Sequence, residues 1–236
     1  MIANLPQRFW VLLCIDAFGY SSVHAFYPNM SKFFQEKFDF TNIEAGSISS
    51  LPYLVASFTV PIFGVLIKRV EHDKVYEFGL MIGLSAVLFS HFCYLVMFEH
   101  ITYKWVPIAP IVVFGLGHAC FTTVFAPAVP YVIGSDQELL STCFSIAKIV
   151  EGVVITSFTQ LAGTTRQYTG SYTYVTALLM LCNTAALLAC YEMAYPTQRI
   201  TYAKAKTIEM LNLVSIKLRR SPEPDLPEEE VVPGKS

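Results

Sequence analysis

Lys148 and Glu151 stand three residues apart in FSIAKIVEGVVI (144–155), inside an apolar run from Ser141 to Gly163. At that spacing they share one helix face and can form an ion pair. A charge at bilayer depth costs at least about 2.5–3.5 kcal/mol on insertion scales, so the pair must face protein or a water-filled cavity. It either handles a solute or a proton, or ties its helix to a neighbour. Other polar residues lie at depth too: Asp16, His24, His91, His118 and Asn183. Asp16 and Lys148 each sit seven residues into helices that start from the same side, about 10 Å deep at 1.5 Å per residue. An Asp16–Lys148 ion pair is therefore within reach, and Glu151 lies a turn deeper, near the level of His118. Asp16, His24, His118, Lys148 and Glu151 form the candidate intramembrane site, with histidine and carboxylate as relay groups. The competing explanation is interhelical glue, since membrane hydrogen bonds of about 0.6 kcal/mol persist without any function. For Lys148 and Glu151 the sequence favours glue, and His91, expected on an outer helix, is expected to be structural.

The elements that must position these groups are membrane helices. The chain has 236 residues, 54% hydrophobic and 14% charged, with mean hydropathy +0.49. A soluble domain carries about 25% charged residues. The net charge of −2 and the lack of a basic stripe outside the tail exclude a nucleic-acid partner. Six cysteines all fall in apolar runs without CxxC spacing, so neither metal nor thiol chemistry is expected. No GxSxG, phosphate-binding glycine loop or HExxH occurs, which leaves no case for an enzyme, a catalytic residue or a cofactor. The first apolar run has only Arg8 ahead of it and no small-residue cleavage site, so no signal peptide is expected.

Six stretches reach the roughly 20 apolar residues that cross a bilayer. They run over about 9–34, 43–67, 76–98, 108–134, 141–163 and 172–193, behind a short N-terminal segment, 1–8. Short polar connections make neighbouring helices antiparallel. Of 16 Lys and Arg residues, eleven fall on the side of the termini, four on the other, and Lys148 in the membrane. Both termini are therefore expected on the cytoplasmic side, or the matrix side in a mitochondrion. Residues 194–220 read as an amphipathic helix that lies on anionic lipid or docks on a partner. The acidic, proline-rich residues 221–236 read as disordered by composition.

The six helices contain a repeat. FGYSSVHAFYP from Phe18 and FGLGHACFTTVFAP from Phe114 share Phe-Gly, His-Ala and an aromatic before proline, at an offset of 96. SFTVPIFG from Ser57 and SFTQLAG from Ser157 match at an offset of 100. Nearly one offset twice suggests a 3+3 duplication, and three helices followed by three inverted ones is the internal repeat of each major facilitator half. With FWVLLCIDAFGY, KFFQEKFDF and PIFGVLIKR, the chain over about 9–193 resembles the C-terminal half of a major facilitator transporter. Within that superfamily it is most similar to the lysosomal dipeptide-transporter branch.

The resemblance implies an all-α integral membrane fold of six transmembrane helices in a 3+3 inverted repeat. It also implies that the first and fourth helices, with His24 and His118, line a transport cavity. The chain departs from the family in the turn after the second helix, GVLIKRVEHDK. Gly64 and Arg69 fit the pattern there, but Lys68 replaces an acidic residue and Glu71 a glycine. The family also has a second six-helix half. Two functions are expected on these grounds. The first is an accessory subunit of a multi-protein membrane complex, for which the mitochondrial inner membrane is the expected site and residues 194–236 the docking segment. Its partners would be membrane lipids and other protein subunits. The alternative is a carrier of dipeptides or another small organic solute, in the lysosome or vacuole. It would work as a dimer or with a separate N-terminal half. Met1 close to the first helix is expected to mark a natural start.

Overall fold

Pro28 divides the first membrane-crossing segment. α1 (Gln7–His24) ends just before it and α2 (Tyr27–Phe38) begins with it in the first turn. Proline lacks an N–H, and its ring collides with the carbonyl four residues back, here that of His24. The Asn29 side-chain amide donates to the Ala25 carbonyl at 3.0 Å, satisfying an acceptor at the bend. The remaining helices are α3 (Asn42–Arg69), α4 (Val75–His100), α5 (Ile108–Ile133), α6 (Gln137–Thr169) and α7 (Tyr172–Ala194). This computed structural model describes residues 5–70, 74–100, 103–134 and 137–195. The expected amphipathic segment 194–220 and the acidic tail lie outside them, apart from Ala194 and Tyr195, as does Glu71 of the turn after α3.

Among the described residues, six segments are long and apolar enough to cross a membrane, with α1 and α2 forming one of them. Each overlaps its expected stretch. Pro52, Pro61, Pro127 and Pro130 do not interrupt their helices: α3 and α5 run through them. Membrane helices tolerate proline where neighbouring helices, Ser or Thr side chains or local adjustment take up the freed carbonyl. Pro52 is itself buried against Gly115 of α5. The start of α3 is fixed by a capping box. Thr41 Oγ1 accepts from the Glu44 N–H at 3.3 Å, and Glu44 Oε2 accepts from the Thr41 N–H at 2.8 Å.

The packing follows the repeat. α4 packs along α5 as α7 packs along α1, and α3 leans on α5 as α6 leans on α1. Each three-helix unit thus leans its second helix on the other unit's first, and α4 meets α7 between them. The tightest crossing joins α4 and α5. A Cβ on Gly117 would lie 2.7 Å from the Gly83 carbonyl oxygen, so only glycine lets these backbones approach. Around the bend of the first segment, Phe26, Phe33, Phe34, Tyr94 and Phe114 form an aromatic core. Burial is uneven across the bundle. The apolar window of α1–α2 is 72% buried and that of α5 61%, against 6% for α3 and 11% for α6.

Candidate functional site

Asp16, Tyr20, His24 and Tyr27 follow one another at steps of four, four and three residues, which places them on one face of the first segment. α5 brings His118 to this face and α6 brings Lys148 and Glu151. The His24 and His118 rings lie 5.5 Å apart, edge to face. These histidines come from the two matched repeat segments, so the duplication places them opposite each other. Tyr27 Oη and His118 Nδ1 are hydrogen-bonded at 3.0 Å, and Tyr27 stacks on Tyr53 of α3 at 4.2 Å.

Tyr20 links the histidines to the charges. Its ring stacks on His24 at 5.3 Å, and Lys148 Nζ sits 5.4 Å from the ring centre, in cation–π range. Lys148 bonds Glu151 Oε2 at 2.5 Å. The lysine side chain is 62% exposed and the glutamate 16%, so the pair sits at the open edge of the cluster. Asp16 is fully buried, and neither of its carboxylate oxygens has a hydrogen-bond partner. The Asp16–Lys148 pair that depth alone allows is not formed, because Lys148 reaches its own-helix neighbour one turn on at lower entropic cost. Asp16 stays within electrostatic reach of both Lys148 and Glu151. His118 Nε2 is a further buried atom without a partner.

All five expected residues therefore converge on one side of the bundle. Glu151 lies beside Lys148 and within electrostatic reach of His24. His91 belongs elsewhere, fully buried with Nε2 3.2 Å from the Ser22 carbonyl and packed on Phe26 and Phe114. It ties α4 to α1, as expected. Asn183 does the same for α7, donating to the Leu84 carbonyl at 2.8 Å. The tyrosines Tyr20, Tyr27 and Tyr53 were not expected in the site, although their spacing with Asp16 and His24 is visible in the sequence. Among the described residues, no three His, Cys, Asp or Glu side chains converge to hold a metal ion.

Chemically, the cluster offers a cation and an anion 2.5 Å apart, two imidazoles, three phenols and a buried carboxylate. Such a set can bind the ends of a zwitterion or pass a proton along its face.

No protein-family model matches the chain. Curated relatives do. The lysosomal dipeptide transporter MFSD1 of Gallus gallus is 22% identical over 188 residues, 80% of this chain and 40% of the relative. The Danio rerio protein of the same name is 23% identical and the Homo sapiens one 22%, each over 80% of this chain and 38% of the relative. The chain spans about 40% of the length of the curated relatives it matches. Over 80% of its length, this chain is similar to lysosomal dipeptide transporters, and its six apolar helices fit half of a major facilitator fold.

Proposed function

We propose that this chain is one six-helix half of a carrier for dipeptides or another small organic solute. The observation that carries the proposal is the convergence of Asp16, Tyr20, His24, His118, Lys148 and Glu151 from α1, α5 and α6 onto one open side of the bundle. A set of groups needed only as glue would be shared among packed neighbours. Here the lysine is the most exposed member, and the buried carboxylate has no partner. The relatives are named transporters, which favours the carrier over an accessory subunit of a larger assembly. Their name also favours a lysosomal membrane over the mitochondrial one, with the termini on the cytoplasmic side by the lysine and arginine bias.

In this account Lys148 attracts the carboxylate of the solute and Glu151 its ammonium group, each exchanging its present partner for the ligand. His24 and His118 line the path below them. The test is uptake of labelled dipeptides into liposomes carrying the full chain, with Glu151→Gln and Lys148→Gln beside it. The expected result is saturable uptake that falls about tenfold or more in each variant, a loss of at least about 1.4 kcal/mol of recognition. Uptake equal in all three proteins, or equal to empty liposomes, would overturn the proposal.

A further inference from the structure

The side of the bundle opposite the start of α1 has few cations: Lys32, Lys37, Lys104 and Arg166. Lys104 is committed, since its ammonium reaches both carboxylate oxygens of Glu44 at 2.8 and 2.9 Å. Lys32 of α2 and Arg166 of α6 instead converge on one pocket of about 320 Å³, completed by Gly163, Gln167 and Tyr172. Among the described residues, no carboxylate lines this pocket.

Arg166 is held in place at its edge. Nη2 donates to Glu36 Oε2, and the guanidinium carbon lies 4.6 Å from the centre of the Tyr172 ring, in cation–π range. Its Nε is buried and still lacks an acceptor. Glu36 stands one turn along α2 from Lys32, yet it is engaged by Arg166. Among the described residues, no carboxylate pairs with the exposed Lys32. Two cations and one anion therefore leave a net charge of +1 around the pocket.

The pocket also shares a helix face with the polar cluster. Arg166 follows Lys148 by 18 residues on the unbroken α6, five turns of about 3.6, so both side chains leave the helix in one direction. That interval spans about 27 Å along the axis. Thr159 lies between them, eleven residues past Lys148 and seven before Arg166, close to whole turns from both. One face of α6 thus carries a cation toward each end and a hydroxyl between.

We propose that the pocket is an oxyanion subsite at the outer mouth, where Lys32 and Arg166 take the carboxylate of an incoming dipeptide or other small organic acid. The inference rests on the carrier reading above and deepens it. The solute meets Lys32 and Arg166 first, then passes along the shared face of α6 to Lys148. A positively charged mouth raises the local concentration of anionic groups and turns a zwitterion carboxylate-first. Lys32 supplies a mobile ammonium with three donors, and Arg166 a guanidinium already oriented by Glu36 and Tyr172. A phosphate on a lipid headgroup presents the same oxyanion chemistry, so the test separates the two sources.

Gly163→Cys places a thiol on the pocket wall, where a Cβ meets nothing within 4 Å. The full-length chain, folded in mild detergent, would be modified with size-matched anionic and cationic thiosulfonate reagents. Tyr168→Cys, at an 86% exposed position on the opposite side of α6 from Arg166, is the control. The unsubstituted chain sets the background of the native thiols. The expected preference for the anionic reagent is at least about tenfold greater at Gly163→Cys than at the control, and adding Lys32→Gln abolishes it. Saturating glycylglycine should slow the modification of Gly163→Cys at least about tenfold, whereas its C-terminal amide should not. No difference between the reagents, or a preference that survives Lys32→Gln in folded protein, would overturn the proposal. So would equal effects of the acid and the amide, or protection by a short-chain phosphatidic acid alone. In liposomes, Lys32→Gln should raise the KM of dipeptide uptake at least about tenfold with kcat unchanged, and an unchanged KM would contradict the subsite. Acid-specific protection without any uptake would sustain the subsite and defeat the carrier reading, whereas uptake without protection would do the reverse.

Discussion

The α4–α5 crossing and the α3/α6 face use the same residue type for opposite ends. At the crossing, Gly83 and Gly117 let two backbones touch, and a Cβ on either would overlap backbone atoms. On the outer face, Gly152 and Gly163 stand in open space on a helix whose apolar window is 11% buried. The first pair is explained by folding and the second is not. The difference teaches that part of this sequence answers to the stability of the single bundle and part to something the bundle meets. The polar cluster shows the same division, with Asp16 buried on the folded side and Lys148 exposed on the other.

Substitution at the crossing should give the largest effect. Gly117→Leu would drive a side chain into the Gly83 carbonyl and the Val87 backbone. Over-packing of this kind costs about 3 kcal/mol or more where backbone cannot yield. Thermal unfolding in mild detergent should show it as a large loss of stability, and unchanged stability would mean the two helices do not touch. Next in size is a gain. Asp16→Leu removes an unpartnered buried carboxylate, and stability should rise by about 1–3 kcal/mol. Uptake should disappear in the same variant, because a functional group has been exchanged for a packing one. A fall in stability would show that Asp16 has a structural partner.

A smaller loss is expected at the start of α3. Glu44→Ala breaks the capping box and the bond from Lys104, which reaches both carboxylate oxygens at 2.8 and 2.9 Å. Capping residues of this kind contribute about 1 kcal/mol. The loss should appear as faster amide exchange in the first turn of α3, and exchange confined to other helices would contradict it. The smallest effect belongs to the open face. Gly152→Ala should leave the single bundle unchanged or firmer by about 0.5–1 kcal/mol through helix propensity. A destabilised bundle there would remove the contrast between the two groups of glycines.

Much of this fold could be read from the sequence. Apolar length located all six spans, because a helix that crosses lipid must satisfy its backbone within itself and cover it with apolar side chains. The repeat was legible in the Phe-Gly and His-Ala matches, and the packing of α3 on α5 and α6 on α1 follows it. Proline was the weaker guide. Pro28 breaks its helix whereas Pro52, Pro61, Pro127 and Pro130 do not, and the outcome depends on neighbours that a single stretch does not reveal.

The site was partly legible. Depth grouped Asp16, Lys148 and Glu151 but not their pairing, since depth fixes level and not azimuth around the axis. The four-residue steps from Asp16 through Tyr20 to His24 held more information than the charged residues alone, because periodicity fixes azimuth. The buried Glu77 at the start of α4, with one carboxylate oxygen lacking a partner, had no signal at all, as it lies at a span end where acids are ordinary.

The most direct test of the account is whether water reaches the open edge of the polar cluster at membrane depth. Ser145→Cys, one turn from Lys148, would be compared with Leu181→Cys on α7, 70% exposed on a surface expected to face lipid. Both would be exposed in liposomes to a charged, membrane-impermeant thiol reagent, with the unsubstituted chain as background for Cys14. The account predicts that Ser145→Cys reacts at least about a hundredfold faster, since the reagent needs water and a thiolate to react. Equal, background-level reaction at both positions would mean that the cluster faces lipid or protein, and would contradict a carrier built around Lys148 and Glu151.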